Sequence, residues 1–309
     1  MVKKDVPLYK EKKTNGFLNY LNSVFGKTKG DRVFNITVYV VFIAFLFLCL
    51  YPFIYVFIES LTLVDTSGST NVTYFSFEAY LSVFRNDSLF PSFLFSVLIT
   101  LVSTFLSLVI TVLAAYPLTR KSLRGRSPVL LFIIFAMLFS GGLVPYYLLI
   151  SELGLVGNPL VYIVVGLVSP YNIIIVKNFI AGLPEELFES ARVDGAGELR
   201  ILFKIIIPLS GPIIATVALW VAVAKWNDYT TTLYYMQDAS KSQWMFQYYL
   251  QEILRTAQSD SPSPDPDIIA LAKNVKNSAV IISIIPIIVV YPFIQKYFVK
   301  GVLLGSVKG

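Results

Sequence analysis

The chain has no histidine, a single cysteine and little charge: only 14% of its 309 residues are Asp, Glu, Lys or Arg. Without histidine, Ser-His and Cys-His nucleophilic catalysis, His-ligated metal and His-ligated haem are excluded. One cysteine, Cys49, permits neither an intrachain disulfide nor a cysteine metal cluster. No G-x-x-x-x-G-K-[ST] pattern occurs, so the chain has no Walker A loop for ATP. A soluble domain carries about 25% charged residues. Here 56% of residues are hydrophobic and the mean hydropathy is +0.69, outside the soluble range.

Charge is wholly absent from six stretches, residues 33–58, 88–119, 127–151, 153–176, 205–224 and 277–295, the shortest of 19 residues and the longest of 32. About 20 apolar residues in a helix cross a bilayer core of roughly 30 Å. One soluble core would not bury six such stretches. The expected architecture is an all-α polytopic membrane protein with six transmembrane helices, at about 33–58, 90–118, 127–150, 159–181, 205–225 and 277–297. The spans hold no Asp or Glu, which argues against an intramembrane enzyme and an ion-coupled secondary carrier.

The formal net charge of +6 is explained by its distribution. Alternate loops hold 19 and 6 of the 25 basic residues, the rich set comprising residues 1–32, 119–127, 177–204 and the C-terminal end. Lys and Arg favour the cytoplasmic side, so both termini are expected there, with contact to anionic membrane lipid and no role in nucleic-acid binding. No cleavable signal peptide is expected, because the first 30 residues are polar and lysine-rich.

The expected organisation is a cytoplasmic segment 1–32, a six-span domain 33–298 and a cytoplasmic tail 299–309. Residues 1–13 read as disordered. Phe17, Leu18, Tyr20, Leu21, Val24 and Phe25 then share one face of a short helix, suited either to the headgroup region or to packing on the bundle. The external segment 66–73 is turn-rich and reads as a flexible loop. The external loop 226–276 is rich in aromatics, including Trp244, Phe246, Tyr248 and Tyr249 with Gln247 among them. These residues either cap the bundle at the interface or form a docking surface for an external partner.

Most of the functional information lies between spans four and five. Pro184 suits a first helical turn, Glu185 and Glu186 complement its positive end, and Gly195 and Gly197 stop the helix. Leu187, Phe188, Ala191 and Val193 can form an apolar strip on a short helix at the cytoplasmic face. Re-entry follows through Pro208.

This segment resembles the signature of permease subunits of binding-protein-dependent ABC importers, E-A-A-x3-G, then nine residues, then I-x-L-P. Here it reads Glu189-Ser190-Ala191, Gly195 and Ile205-Ile206-Ile207-Pro208, with Ser190 and Ile207 as small departures. Ser140-Gly141-Gly142-Leu143-Val144-Pro145, Trp226-Asn227-Asp228, and Gln295 to Gly301 with Val307-Lys308-Gly309 are similar to the carbohydrate branch, the maltose-type six-span permeases, and among these to Gram-positive permeases for oligosaccharides or glycan fragments.

The resemblance implies a type I ABC importer permease fold in a bacterial cell membrane. It implies a second, non-identical permease, an ABC ATPase dimer that alone holds ATP and Mg, and an extracellular lipid-anchored sugar-binding protein. This chain would itself be non-catalytic and bind no cofactor. Segment 184–198 would be the coupling helix, with Glu189, Ser190, Ala191, Asp194, Gly195 and Pro208 the coupling residues. Gly305, Lys308 and Gly309 would reach the ATPase from the tail, and Trp244 to Tyr249 would dock the binding protein. By type, Tyr116, Tyr146, Asn172 and Trp220 could touch substrate in the membrane or make interhelical contacts. An ABC permease for peptides and an ATP-independent carrier are the rival readings.

Overall fold

The computed structural model describes residues 28–65, 72–258 and 266–306. The short helix expected over 14–25 and the disorder expected over 1–13 lie outside these residues. The chain forms two compact units, residues 1–58 and 59–309.

The first unit is helix α1, Lys29–Ser60, whose last residues belong to the second unit. It opens on a capping box in which Asp31 N–H donates to Thr28 Oγ1 at 3.1 Å and Thr28 N–H to Asp31 Oδ2 at 3.3 Å. From Val33 to Ile58 it is mostly apolar and carries no charge, as a membrane span requires.

In the second unit, β1 (Thr62–Asp65) and β2 (Val72–Phe75) pair antiparallel, with Thr62 opposite Phe75. A strand thus occupies part of the segment read as flexible; Val72, Tyr74 and Phe75 are good strand formers on either reading. Helix α2 (Glu78–Arg85) buries Ala79 and Val83. Helix α3 (Leu89–Ala115) then runs through the bundle and ends in a single tight turn, Pro117–Thr119.

Along α3, Ser92, Ser96, Thr100, Ser103, Ser107 and Thr111 are all buried. Their spacings of three and four place them on one face. Small side chains let helices approach closely where lipid supplies no hydrophobic drive. Here α3 packs most extensively on α10 (Gly211–Trp226) and α7 (Pro170–Ala181).

Three of the expected continuous spans are broken. The third is two helices, α4 (Arg126–Leu138) and α5 (Leu143–Glu152), bent by 113°. Gly142 sits at the bend with φ 84 and ψ 173, a conformation that essentially only glycine adopts. The fourth is a single turn α6 (Val161–Val164) followed by α7, because Pro170 holds Ser169 extended. In the fifth, Glu198–Leu209, here α9, meets α10 at 78°. Leu202–Ile206 is wound as π-helix and leads into Pro208, which cannot extend an α-helical ladder. Among the described residues, three helices are long and apolar enough to cross a membrane, or up to five with each bent pair taken as one span.

The loop 226–276 is mostly structured. It contains α11 (Thr230–Tyr235), α12 (Phe246–Gln258) and the first turns of α13 (Pro266–Ser306). Helix α13 also continues through most of the expected tail, since Gly301 and Gly305 alone do not break a helix already propagating.

Overpacking the small-residue face tests its role. Ser103→Leu is expected to lower stability by about 1–3 kcal/mol, read as a drop in thermal unfolding midpoint in detergent. Ser103→Ala should be close to neutral, since the Ser103 hydroxyl has no hydrogen-bond partner among the described residues.

Candidate coupling site and transport path

The segment carrying the signature forms α8, Glu186–Val193, shorter than the 184–198 read from sequence. It ends as a Schellman motif: Ala196 N–H donates to Ala191 O at 2.9 Å and Gly195 N–H to Arg192 O at 3.0 Å. Gly195 takes φ +76 with open space around its Cα, so backbone conformation alone selects glycine there. Of the expected apolar strip only Phe188 is buried; Leu187 is exposed and Val193 is 87% exposed. Glu189, Ser190, Asp194 and Pro208 are exposed, and Ala191 is half-buried.

A polar cluster ties this helix to the end of α3. The Arg120 guanidinium lies 4.9 Å from the Tyr116 ring centre and 5.1 Å from that of Phe188. Its Nη2 donates to Tyr116 Oη at 2.6 Å and to Glu198 Oε2 at 3.2 Å. Tyr116 Oη also donates to Glu198 Oε2, and Arg192 Nε donates to Glu198 Oε1 at 3.2 Å. Glu198 therefore joins α3, α8 and α9. The Tyr116 hydrogen bond, with the Arg120 and Arg192 charges, holds its carboxyl below the usual glutamate range against the opposing effect of burial.

Tyr116 thus makes an interhelical contact in this clamp, its hydroxyl held by Arg120 and Glu198. The sequence offered little sign of the cluster, whose members lie up to 82 residues apart. The one available signal was an arginine one helical turn beyond a tyrosine at a span end.

The other three residues assigned to the path separate. Tyr146 lines an open groove of about 570 Å³ at the α4–α5 bend, with Gly142 and Pro145. Asn172 and Trp220 share a different cavity, of about 470 Å³. Lys225, beside it, is buried and donates from Nζ to the carbonyls of Tyr162 at 2.8 Å and Val165 at 2.5 Å. These carbonyls face the break after α6, so the lysine replaces their missing helical donors.

The aromatic segment 244–249 is not a free surface. Phe246 is 0% exposed and Tyr248 is buried; both are packing residues. Phe246 stands edge-on to Phe93 at 5.4 Å, and its N–H donates to Ser96 Oγ at 2.7 Å. Trp244 Nε1 donates to Met236 O at 2.9 Å, while Ser92 Oγ donates to Trp244 O at 2.7 Å. Trp244, Gln247 and Tyr249 are half-buried. The serines of α3 anchor the segment, so its aromatics close the bundle. The Trp226-Asn227-Asp228 sequence is likewise a corner: Trp226 Nε1 donates to Ser283 O at 2.9 Å, and Asp228 Oδ1 accepts from Thr231 N–H at 3.0 Å at the start of α11. Gly305 lies in the last turn of α13; Lys308 and Gly309 lie outside the described residues.

Residues 123–304 match the family described as "Binding-protein-dependent transport system inner membrane component". The chain is 39% identical over 291 residues to the polygalacturonan/rhamnogalacturonan transport system permease protein YtcP of Bacillus subtilis, covering 90% of this chain and 99% of that protein. It is 38% identical over 290 residues to protein LplC of the same organism, covering 91% and 97%. The crystal structure of a bacterial ABC transporter that imports the acidic polysaccharide alginate contains a similar chain, with TM-score 0.78, 30% identity and coverage of 88% and 99%. The chain belongs to the binding-protein-dependent inner membrane component family and is the transmembrane permease subunit of an ABC importer.

Glu198→Gln is expected to loosen the clamp, read as faster amide hydrogen exchange over 186–198. Because the carboxyl is held below its ordinary value of about 4.3, the charged clamp is complete above that value and is lost as pH falls through the lower folded value. The difference between wild type and variant should therefore be constant at neutral pH and disappear in acid. Gly195→Ala should cost about 1–2 kcal/mol in cap stability, with exchange quickened at 193–197.

Proposed function

We propose that this chain forms half of the translocation path of an ATP-driven importer of oligosaccharides or glycan fragments in a bacterial cell membrane, in a Gram-positive host. A second, non-identical permease completes the path. A separate ABC ATPase dimer holds ATP and Mg and performs all the hydrolysis; this chain is non-catalytic and binds no cofactor. An extracellular lipid-anchored sugar-binding protein delivers cargo. Six spans with both termini cytoplasmic place the Arg120 end of α3 and all of α8 at the cytoplasmic face, where the basic residues concentrate.

The observation that carries this reading is the free, capped helix α8, with Glu189, Ser190 and Val193 exposed and its base clamped to α3. An ATPase gripping that helix would move the end of α3 and, through α9, the fifth span. ATP-driven closure would then rock the permease pair between inward- and outward-open states. The sugar assignment rests on the polygalacturonan/rhamnogalacturonan transport system permease protein YtcP and on the melibiose/raffinose/stachyose import permease protein MelC of Bacillus subtilis, 30% identical over 239 residues. Gly305, Lys308 and Gly309 are proposed to contact the ATPase. For the binding protein, only the half-buried Trp244, Gln247 and Tyr249 remain as contacts.

Glu189→Lys tests the coupling. Charge reversal at a complementary interface is expected to reduce ATP-driven sugar uptake more than about tenfold, with normal amounts of the permease in the membrane and weaker co-purification of the ATPase. Unchanged uptake and ATPase association would overturn the coupling role, and uptake following an ion gradient without ATP would indicate a secondary carrier.

A further inference from the structure

The cavity shared by Asn172 and Trp220 combines features that the coupling mechanism does not use. Its volume of about 470 Å³ suits a small ligand. Tyr171 and Trp220 contribute two adjoining rings, 6.0 Å apart between centres and inclined by 32°, that remain 51% and 42% exposed. Asn172 is only 6% exposed, yet its side-chain amide makes no hydrogen bond among the described residues; only its backbone N–H is engaged, by Ser169 Oγ at 3.3 Å. The amide is not sealed off from the opening of the cavity, and it lines the wall with two donors and an acceptor available.

The charged groups in the wall are already committed. Lys225 bonds the carbonyls of Tyr162 and Val165. Asp228 accepts from the Thr230 hydroxyl at 2.9 Å, the Thr231 hydroxyl at 2.5 Å and the Thr231 N–H at 3.0 Å. Two ring faces and one amide are therefore left for a ligand. Polar groups in a span are tolerated against protein or a water-filled cavity and not against lipid, so a wall carrying Asn172 and Asp228 suits one of the first two.

We propose that the cavity is a sugar-ring subsite that this chain contributes to the path. The apolar face of a pyranose stacks on Trp220 and Tyr171, and its hydroxyl groups pair with the Asn172 amide. The subsite reads ring and hydroxyls and is indifferent to a sugar carboxylate. It deepens the oligosaccharide reading above and rests on it.

The test uses the complete transporter in proteoliposomes with saturating binding protein, so that delivery does not limit uptake. The probes are oligogalacturonides and their methyl esters, which present the same rings with and without charge. Trp220→Leu and Asn172→Leu are each expected to lower ATP-driven uptake of both probes about three- to tenfold, while the complex assembles normally. Trp220→Phe, which keeps a ring, should retain most uptake. Wild-type uptake in both leucine variants would overturn the subsite alone. A loss confined to the charged probe would overturn it by making the cavity a carboxylate site. Failure of the two permeases to co-purify would do so by making it an inter-subunit packing face. Absence of ATP-driven import of either probe by the wild type would overturn the oligosaccharide reading and the subsite with it.

Discussion

The organisation of the bundle depends on how a lysine side chain meets two backbone carbonyls. Inside a bilayer, backbone groups without partners are too costly to leave, so a span can break only where something replaces the missing ladder bonds. Lys225 does this from the end of α10, bonding the carbonyls of Tyr162 and Val165. The cation is buried, and these bonds meet its own need for partners. Because the break is held, α7 starts afresh at Pro170, and Tyr171 and Asn172 stand in its first turn beside Trp220. In an unbroken fourth span, Ser169 to Asn172 would lie inside a continuous ladder and that cavity would lose one wall.

At the other end of α3, the Glu198 clamp answers a different need. A coupling element must be firmly attached to the spans it moves and free toward the subunit that pushes it. Phe188 packs inward, Arg120 lies between its ring and that of Tyr116, and Glu198 gathers three donors from two helices. Val193 and Glu189 stay outside. Since its residues are partly exposed, the clamp adds little to the stability of the fold.

The aromatic segment illustrates how composition alone leaves a role open. By residue type, Trp244 to Tyr249 suits either a cap on the bundle or a docking loop. In the fold, Ser92 and Ser96 of α3 bind its backbone, and Phe246 fills the space beside Phe93 and Trp226. The contacts link residues about 150 positions apart, and no local pattern encodes them. The same holds for Trp226-Asn227-Asp228, whose indole and carboxylate terminate one helix and begin another.

Charge distribution and local spacing carried the class of the protein. Runs without charge mean membrane burial whatever their partners, and the turn at Gly195 is decided by its own φ, so both were legible in the linear chain. The helical class, the short helix ending at Gly195 and the family signature were open to reading for that reason. What only tertiary structure decided was where spans break and which polar groups meet. Apolar periodicity does not register a π-wound segment, a 113° bend or a lysine reaching across to another helix's carbonyls. Tyr116, Asn172 and Trp220 are the same residue types on either account. Their places, in a clamp or around a cavity, follow from helices brought together over scores of residues, a long-range packing outcome that the sequence specifies only through the whole fold.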